Sequence, residues 1–142
     1  MQTFLPLKDF EKSAACLDVK RLNKQILEAF QLLELMVYPQ RKGWRNHPAF
    51  KMWDGYDLAL IDYGLAMCLE WTGRGYKEHS LEDKFENYAM VYPPIGNPKF
   101  PKWLGREDFH ASHRSNLLRK NPEWYSKFGW TESSDLLYVW PV

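Results

Sequence analysis

The sequence predicts an all-α fold: a compact single domain over residues 1–142, with a long N-terminal helix, a long central helix and an aromatic C-terminal tail. Apolar residues recur three or four positions apart along two long stretches, as they do on the buried face of a helix. Glycine and proline separate these stretches, and no convincing alternation of apolar and polar residues indicates a strand. The length of 142 residues and the apolar content of 45% are typical of one globular domain with its own core.

The first long helix is predicted over residues 12 to 37. Its apolar residues form one continuous stripe: Val19, Leu22, Ile26, Ala29, Phe30, Leu33 and Val37. Pro39 and Gly43 follow the stripe and end the helix. One face of this helix is therefore expected to pack on the core.

Four further helices are predicted, and most of them carry a start or stop signal. Asp54 is expected to cap the central helix, which Gly73 and Gly75 stop. Ser80 and Asp83 resemble an N-terminal capping arrangement. The four helices are a short one that begins at Pro48, the central one over 55 to 73, a short one over 80 to 89 and one over 106 to 120.

The remaining segments are predicted to lack helix. Four prolines between Tyr92 and Pro101 forbid a regular helix and indicate an ordered loop over the surface. After Pro122 comes the aromatic tail, which ends in the sequence LLYVWPV and is expected to be extended.

Composition narrows the class of function only in part. The net charge of +1 does not by itself indicate a nucleic-acid partner. Basic clusters, however, lie on both sides of an acidic middle section of the sequence. This charge distribution fits a polyanion partner and also fits ordinary solvated helix surfaces. The aromatic fraction of 16% fits either a Trp-rich core or a surface that stacks on flat ligands such as bases. The sequence lacks a membrane-spanning apolar run and a secretory signal, and Cys16 and Cys68 fall in apolar helical patterns, so we expect a cytoplasmic protein.

The common catalytic motifs are missing from the sequence. There is no Gly-rich phosphate loop, no nucleophile elbow and no Cys/His zinc pattern. His110 and His113 lie one helical turn apart, but two histidines without a third ligand nearby are more typical of hydrogen bonding or phosphate contact than of a metal site. We therefore expect no metal.

Glu28 is the residue that the charge pattern singles out. Lys20, Lys24 and Glu28 follow one another at intervals of four on the first helix, with Arg21 beside them. A single carboxylate on a basic face opposes phosphate binding unless it has a chemical task. The other interpretation is a plain ion pair with Lys24, which would contribute a few tenths of a kcal/mol. The residues alone leave both interpretations open.

Three stretches of the chain carry a resemblance to a known family. The sequence ILEAF on the first helix places Glu28 where that family has its catalytic glutamate. HPAF followed by YDLALIDYGLAMCLEWTGRGY resembles its central helix, including the ending at Arg74. NPEWYSKFGW resembles its aromatic C-terminal segment, with Trp124 and Tyr125. The family is that of the phage pyrimidine-dimer DNA glycosylases with abasic-site lyase activity, the endonuclease V type.

The resemblance implies a compact helical fold and an unusual nucleophile, the α-amino group of the first residue, here Met1. That amine would attack the sugar C1′ as the damaged base leaves and form a Schiff base, after which β-elimination would cut the strand. Glu28 would stabilise the cationic sugar and manage protons, and no metal or cofactor is implied. An α-amine suits this task because it titrates near 7.7–8.0, whereas a lysine titrates near 10.4, so more of it is neutral at pH 7.

The implied partner is double-stranded DNA that contains a damaged or modified base, bound by a monomer. Basic side chains would contact phosphates, and aromatic ones would pack near the site or stack within it. The side chains expected to bind DNA are Lys20, Arg21, Lys24, Arg45, His47, His113, Arg114, Trp124 and Tyr125.

Two positions depart from the phage members of the family. Those members expose a threonine after removal of the methionine, whereas here Gln2 follows Met1, and its long side chain is expected to block removal. We therefore expect Met1 to be retained and to use its own amine. The phage members also have an arginine just before the glutamate, where this chain has Leu27. The substrate is a pyrimidine dimer in the leading interpretation; the same chemistry on another damaged or modified base and a non-catalytic DNA-binding module are the alternatives.

Overall fold

The computed structural model describes residues 1–92 and 98–142, and within them the chain is all-helical, with seven α-helices and no strand. The helices are α1 (Phe10–Cys16), α2 (Val19–Val37), α3 (Pro48–Trp53), α4 (Asp57–Gly73), α5 (Glu82–Val91), α6 (Glu107–Lys120) and α7 (Pro122–Tyr125), with 3-10 turns at Trp44–Asn46 and Ser126–Phe128. The all-α prediction is therefore confirmed. Residues 93–97 of the predicted proline-rich loop lie outside the described residues. In the described part of the chain, no helix combines the length and the apolar character needed to cross a membrane.

The central helix α4 packs against α1, α2 and α5, and the core lies between these elements. The stripe predicted on α2 is largely buried, with Leu22, Ile26 and Leu33 fully so. Val19 is the exception, because it starts the helix and 42% of its surface is exposed. The long helices were thus predictable because burial follows the 3.6-residue period.

The first long helix, predicted over residues 12 to 37, is two helices, because the chain bends at Leu17 and Asp18. Both residues have an extended backbone, with ψ of 138° and 157°. Arg74, the residue that follows α4, donates a hydrogen bond to the Leu17 carbonyl at 2.6 Å, and the Tyr125 hydroxyl accepts one from the Asp18 N–H at 3.1 Å. These partners lie far along the sequence, so the apolar period could not indicate the break.

Two of the predicted helix caps are wrong. Asp54 follows the end of α3, and α4 begins after Tyr56. Helix α5 begins after Leu81, whose N–H donates to His79 Nδ1 at 3.1 Å, so Ser80 does not cap it. In both places the structure starts the helix one or more residues later than the polar side chain that resembled a cap.

Gly64 allows α5 to approach α4 closely, and this contact is testable. A Cβ atom at position 64 would lie 2.4 Å from a ring carbon of Phe85, which is fully buried. Gly64→Ala should therefore lower the free energy of unfolding by about 1–3 kcal/mol, as overpacked cores do, although alanine favours helix by about 1 kcal/mol. Denaturant unfolding measures the difference. Gly73→Ala is the control, because a Cβ there meets no atom within 4 Å; equal effects of the two substitutions would contradict the close contact.

Candidate functional site

The start of the chain is held inside the protein by side chains from several helices. Residues 2–6 are buried and belong to no helix. The Phe4 N–H donates to Gln25 Oε1 at 2.6 Å, and the Phe4 carbonyl lies 2.9 Å from the Tyr63 hydroxyl. Trp53 Nε1 donates to the Thr3 hydroxyl at 2.8 Å. Helices α2, α3 and α4 therefore all bind this N-terminal segment.

Two histidines of α6 bind Leu5 from both sides. The Leu5 N–H donates to His113 Nδ1 at 2.9 Å, and His110 Nδ1 donates to the Leu5 carbonyl at 2.8 Å. His110 Nε2 accepts the Gly105 N–H at 3.0 Å, which leaves the ring hydrogen on Nδ1. The two histidines thus bind backbone groups in the protein interior, whereas their spacing had suggested hydrogen bonding on the helix surface.

His113 and Arg114, which were both predicted to bind DNA, are buried and bind other parts of the chain. The exposed fractions are 0% for His113 and 8% for Arg114. Arg114 donates to the Pro6 carbonyl at 2.8 Å and forms ion pairs with Glu107 and Glu132. Both side chains instead fix the N-terminal segment.

Glu28 lies directly beside the start of the chain. The Gln2 N–H donates to Glu28 Oε2 at 2.9 Å, and 8% of the Glu28 surface is exposed. Met1 precedes this anchored amide, and its half-buried side chain packs against the core. Both residues line a cavity of about 380 Å³, which we call the N-terminal cavity; it is lined by Met1, Gln2, Phe4, Lys20, Arg21, Lys24, Gln25, Glu28, Lys120 and Tyr138.

The N-terminal cavity is cationic. Lys20, Lys24 and Lys120 line it, and among the residues that the structure describes no ion pair joins them to a carboxylate. Arg21 pairs with Asp18 at 3.3 Å. Met1, Glu28 and the three basic residues predicted on α2 are therefore gathered around one cavity, and their roles stay predictions.

Arg45 and His47, which were predicted to bind DNA, do not line the N-terminal cavity. The Arg45 guanidinium donates to the carbonyls of Leu35 and Tyr38 at 2.7 Å each, so it caps the C-terminal end of α2. At a rise of 1.5 Å per residue, this end lies about 26 Å from Lys20. His47 caps α3 by accepting the Ala49 N–H at Nδ1, 3.0 Å away. Partial burial, and then the positive charge of the chain's α-amine, lower the pKa of His47. His47 thus holds the start of α3, whereas the Arg45 guanidinium is held by carbonyls at the end of α2.

Trp124 and Tyr125 hold the junction between α1 and α2. Trp124 Nε1 donates to the Cys16 carbonyl at 2.7 Å, and the Lys127 ammonium lies 3.3 Å from the centre of its indole ring. Tyr125 is fully buried, and its hydroxyl donates to the Asp18 carboxylate. Tyr125 is therefore not accessible to DNA, contrary to prediction, and Trp124 packs at the end of α1.

Five residues that line the cavity were not among the predicted site residues: Gln2, Phe4, Gln25, Lys120 and Tyr138. Gln25 fixes Phe4, Lys120 brings a further cation from the end of α6, and Tyr138 comes from the C-terminal tail. The basic ending of HASHRSNLLRK and the aromatic ending LLYVWPV were the only signals in the sequence for Lys120 and Tyr138. Nothing in the sequence pointed to Gln25, because a polar residue on a helix is explained as a buried hydrogen-bond acceptor only when its partner, here the Phe4 N–H, is known.

A larger cavity, of about 640 Å³, lies between α1 and α4, and neither Met1 nor Glu28 lines it. Its walls include Leu65, Leu69 and Phe100, with carboxylates such as Asp62 at its edge. Neither the α-amine nor a basic cluster reaches it. The N-terminal cavity is the better candidate because it combines an amine, a carboxylate and several cations.

Comparison with known proteins bears on the same region. A family model described as pyrimidine dimer DNA glycosylase matches residues 1–83. The chain belongs to this family. Membership supports a DNA repair glycosylase whose substrate is DNA. The matched residues include the N-terminal segment, Glu28 and the whole of α4, whereas Lys120 and Tyr138 lie beyond them. No curated protein and no solved structure matches the chain.

The buried contact of His113 predicts loss of stability in acid. Burial, with a smaller effect of His110, lowers the pKa of His113 from 6.5 to about 3. The unfolded chain therefore takes up a proton below about pH 6.5 that the folded chain does not, and the free energy of unfolding should fall by up to about 1.4 kcal/mol per pH unit as the pH drops below that value. Denaturant unfolding between pH 7 and pH 4.5 measures this slope.

The His113→Gln variant tests the assignment because it cannot titrate. It should be less stable than the wild type at pH 7, since Leu5 loses a matched acceptor, yet its stability should depend less on pH. His79→Gln is the comparison variant: burial lowers the pKa of His79 in the same direction, but His79 is only half-buried, so its replacement should flatten the slope less than His113→Gln does. Equal slopes for the His113 variant and the wild type would remove His113 as the cause.

Proposed function

We propose that the protein is a DNA glycosylase with abasic-site lyase activity that acts on pyrimidine dimers, with the α-amine of Met1 as nucleophile and Glu28 as the assisting carboxylate. One observation carries the proposal: the hydrogen bond from the Gln2 N–H to Glu28 Oε2, 2.9 Å long, in a cavity with several cations. It fixes the first peptide unit against the single carboxylate of the cavity. Family membership supports the glycosylase part independently.

The chemistry follows from an amine and a carboxylate beside one sugar. The lone pair of the neutral amine bonds to C1′, and the bond from C1′ to the base breaks, with its electron pair leaving on the base, which is then protonated. The attached nitrogen then loses a proton, and its lone pair forms the C=N bond as the C1′–O4′ bond breaks and O4′ takes up a proton. The product is an iminium, the protonated Schiff base. Loss of a proton from C2′ then expels the 3′ phosphate oxygen and cuts the strand, and water releases the protein. Glu28 is suited to stabilise the positive charge at C1′ and to accept or return protons.

The environment of Met1 supports its amine as the nucleophile. The Met1 side chain packs against the core, and the following residues are buried, so the amine is held at a defined place rather than on a loose terminus. A group held in reacting geometry can contribute a large part of the rate enhancement. Lys20, Lys24 and Lys120 around the cavity are suited to neutralise the phosphates on both sides of the reacting sugar.

Borohydride trapping tests the proposed function. The untagged protein is incubated with a duplex that contains one abasic site, reduced with borohydride and analysed by intact mass. We expect a covalent adduct that disappears when the α-amine is blocked beforehand, and the mass of the uncoupled protein shows whether Met1 is retained. Bound DNA without an adduct, with the terminus unblocked, would indicate a DNA-binding module instead.

Glu28→Gln separates the carboxylate's charge from its structural contact. A glutamine can still accept the Gln2 N–H, so the chain start should stay in place, but it can neither accept a proton nor stabilise a cation as well. We expect DNA affinity to be kept and strand cleavage to fall about 10²–10⁴-fold, the range of general acid–base catalysis. Glu34→Gln on the same helix, where Glu34 binds Tyr88 outside the cavity, is the control. Unchanged cleavage in the Glu28 variant would exclude Glu28 from the mechanism.

Lys24→Ala tests whether the cavity faces phosphates. Its affinity for duplex DNA should fall, and the slope of log K against log salt should shrink by about 0.9, the value for one lost phosphate contact. The control is Lys84→Ala on α5, where Lys84 lies against the ring of Phe30 and does not line the cavity. Binding titrations at several salt concentrations measure both slopes. The same slope in wild type and the Lys24 variant would argue against phosphate contact at this face.

A further inference from the structure

The C-terminal tail runs along α6 and is fixed to it by serine side chains of that helix. The Leu136 N–H donates to the Ser115 hydroxyl at 3.0 Å, and the Val139 N–H donates to the Ser112 hydroxyl at 3.1 Å. These two contacts lie on either side of Tyr138 in the sequence. The backbone that carries Tyr138, which lines the N-terminal cavity, is therefore held in one place.

The ring of Tyr138 is packed among three other rings. Its centre lies 5.6 Å from that of Trp140, 5.8 Å from that of His113 and 6.3 Å from that of Phe4. His113 and Phe4 belong to the contacts that hold the N-terminal segment. The ring is thus a packed part of the cavity wall, and the hydroxyl is the group of this side chain that is left to bind a polar ligand.

The Tyr138 hydroxyl is accessible and has no partner among the residues that the structure describes. Three polar side-chain atoms of the described residues are buried without a hydrogen bond, on Gln2, His113 and Glu132. The Tyr138 hydroxyl is not one of these buried atoms, and none of the hydrogen bonds of the described chain involves it. The hydroxyls of Tyr63 and Tyr125, by contrast, donate to groups of the protein.

Charges of the cavity act on the Tyr138 hydroxyl. Burial raises the pKa of Tyr138, and the positive charges of Arg119 and Arg21 lower it. The negative charge of Glu28 raises it. Since burial has the largest effect, the hydroxyl keeps its proton at neutral pH and can donate a hydrogen bond. Arg21 and Glu28 line the cavity, so the hydroxyl lies near the part of α2 that carries the carboxylate.

A neutral donor in a cationic cavity suits a phosphate oxygen. Lys20, Lys24 and Lys120 attract phosphate, but each is a point charge on a flexible stem and does not fix the direction of the contact. A hydroxyl on a packed ring donates from one place, and a hydrogen bond to a charged oxygen is stronger than one between neutral groups. A sugar attacked by the α-amine of Met1 brings one phosphate on each side of it to this cavity.

We propose that the Tyr138 hydroxyl donates a hydrogen bond to a phosphate oxygen next to the attacked sugar and so holds that sugar in front of the α-amine. This inference rests on the proposed function and adds to it a positioning residue from the C-terminal tail. The contact is to the DNA backbone, so it carries no information about the base. Its effect should be the same for every lesion that the protein accepts.

Tyr138→Phe tests the contact because it removes only the hydroxyl oxygen and keeps the packed ring. The probe is a duplex with one tetrahydrofuran residue, an abasic analogue that cannot react with an amine. We expect the affinity to fall about 10-fold, the effect of losing a hydrogen bond to a charged group. The slope of log K against log salt should stay that of the wild type, because a neutral donor displaces no counterion. Lys24→Ala should shrink this slope.

Tyr88→Phe is the matched control. Tyr88 is also half-buried, but its hydroxyl donates to Glu34 and it does not line the cavity. Its replacement should leave the affinity for the tetrahydrofuran duplex unchanged. An affinity of Tyr138→Phe within about 2-fold of the wild type would overturn the proposal, since a hydrogen bond to a charged group contributes more than that.

A second pair of duplexes locates the contact. In each, a methylphosphonate replaces the phosphate on the 5′ or the 3′ side of the tetrahydrofuran, which removes the charge and one acceptor oxygen. At the contacted phosphate, one stereoisomer should abolish most of the difference between the wild type and Tyr138→Phe, because the oxygen that the hydroxyl binds is already gone. If the two changes act independently at both positions, Tyr138 does not bind either phosphate.

Two further results would overturn the contact. Unchanged affinity with slower strand cleavage would mean that the hydroxyl acts in the chemical step. A smaller salt slope for Tyr138→Phe would mean that the substitution displaces cations rather than removing one neutral donor. Failure of the proposed function is a separate result, the absence of a borohydride adduct with the wild type, and the binding measurements on the unreactive duplex do not depend on it.

Discussion

The rest of the structure depends on how the buried N-terminal segment satisfies its backbone. A buried N–H or C=O without a partner costs about 1–3 kcal/mol, and a segment that has neither helix nor strand neighbours has no regular partners. Here side chains supply them: Gln25 and Tyr63 for Phe4, and two histidines of α6 for Leu5. The burial of Gln25, His110 and His113 is thus accounted for by the segment that they bind.

The position of α2 depends in turn on the bend between α1 and α2. The bend at Leu17 and Asp18 is held by Arg74, Trp124 and Tyr125, which bind carbonyl or amide groups on both sides of it. With α2 in this orientation, Glu28 lies beside the Gln2 amide. The residues that carried the family resemblance in the centre and tail of the chain therefore act on the site at a distance, by placing the helix that bears the carboxylate.

The apolar spacing of the sequence predicted the long helices, but it did not predict the features that depend on contacts between residues far apart in the sequence. Helices α2, α4 and α6 follow from apolar spacing, and the spacing of Lys20, Lys24 and Glu28 placed them together correctly on one face. The bend at Asp18 was missed because its partner Tyr125 is 107 residues away.

The same reason explains the buried histidine of α6. His113 was predicted to bind DNA, whereas it accepts the N–H of Leu5, 108 residues away in the sequence. The helical pattern around His113 contains no sign that this distant amide needs an acceptor. A polar residue in a helical pattern is ambiguous between surface and core until the segment that it binds has been placed.

The contact of Glu28 differs from one of the two interpretations that the sequence left open for it, the ion pair with Lys24, and its catalytic role stays a prediction. A plain ion pair with Lys24 would have its carboxylate on the ammonium, yet no such pair is found in the described residues, and Glu28 Oε2 accepts the Gln2 N–H instead. A nearly buried carboxylate needs compensation for lost hydration, and one backbone N–H offers only part of it. Lys20, Lys24 and Lys120, which line the same cavity, are the charges that can add to it. A carboxylate left in this state is poised to respond to positive charge that develops beside it, which is the property that the proposed chemistry at C1′ requires.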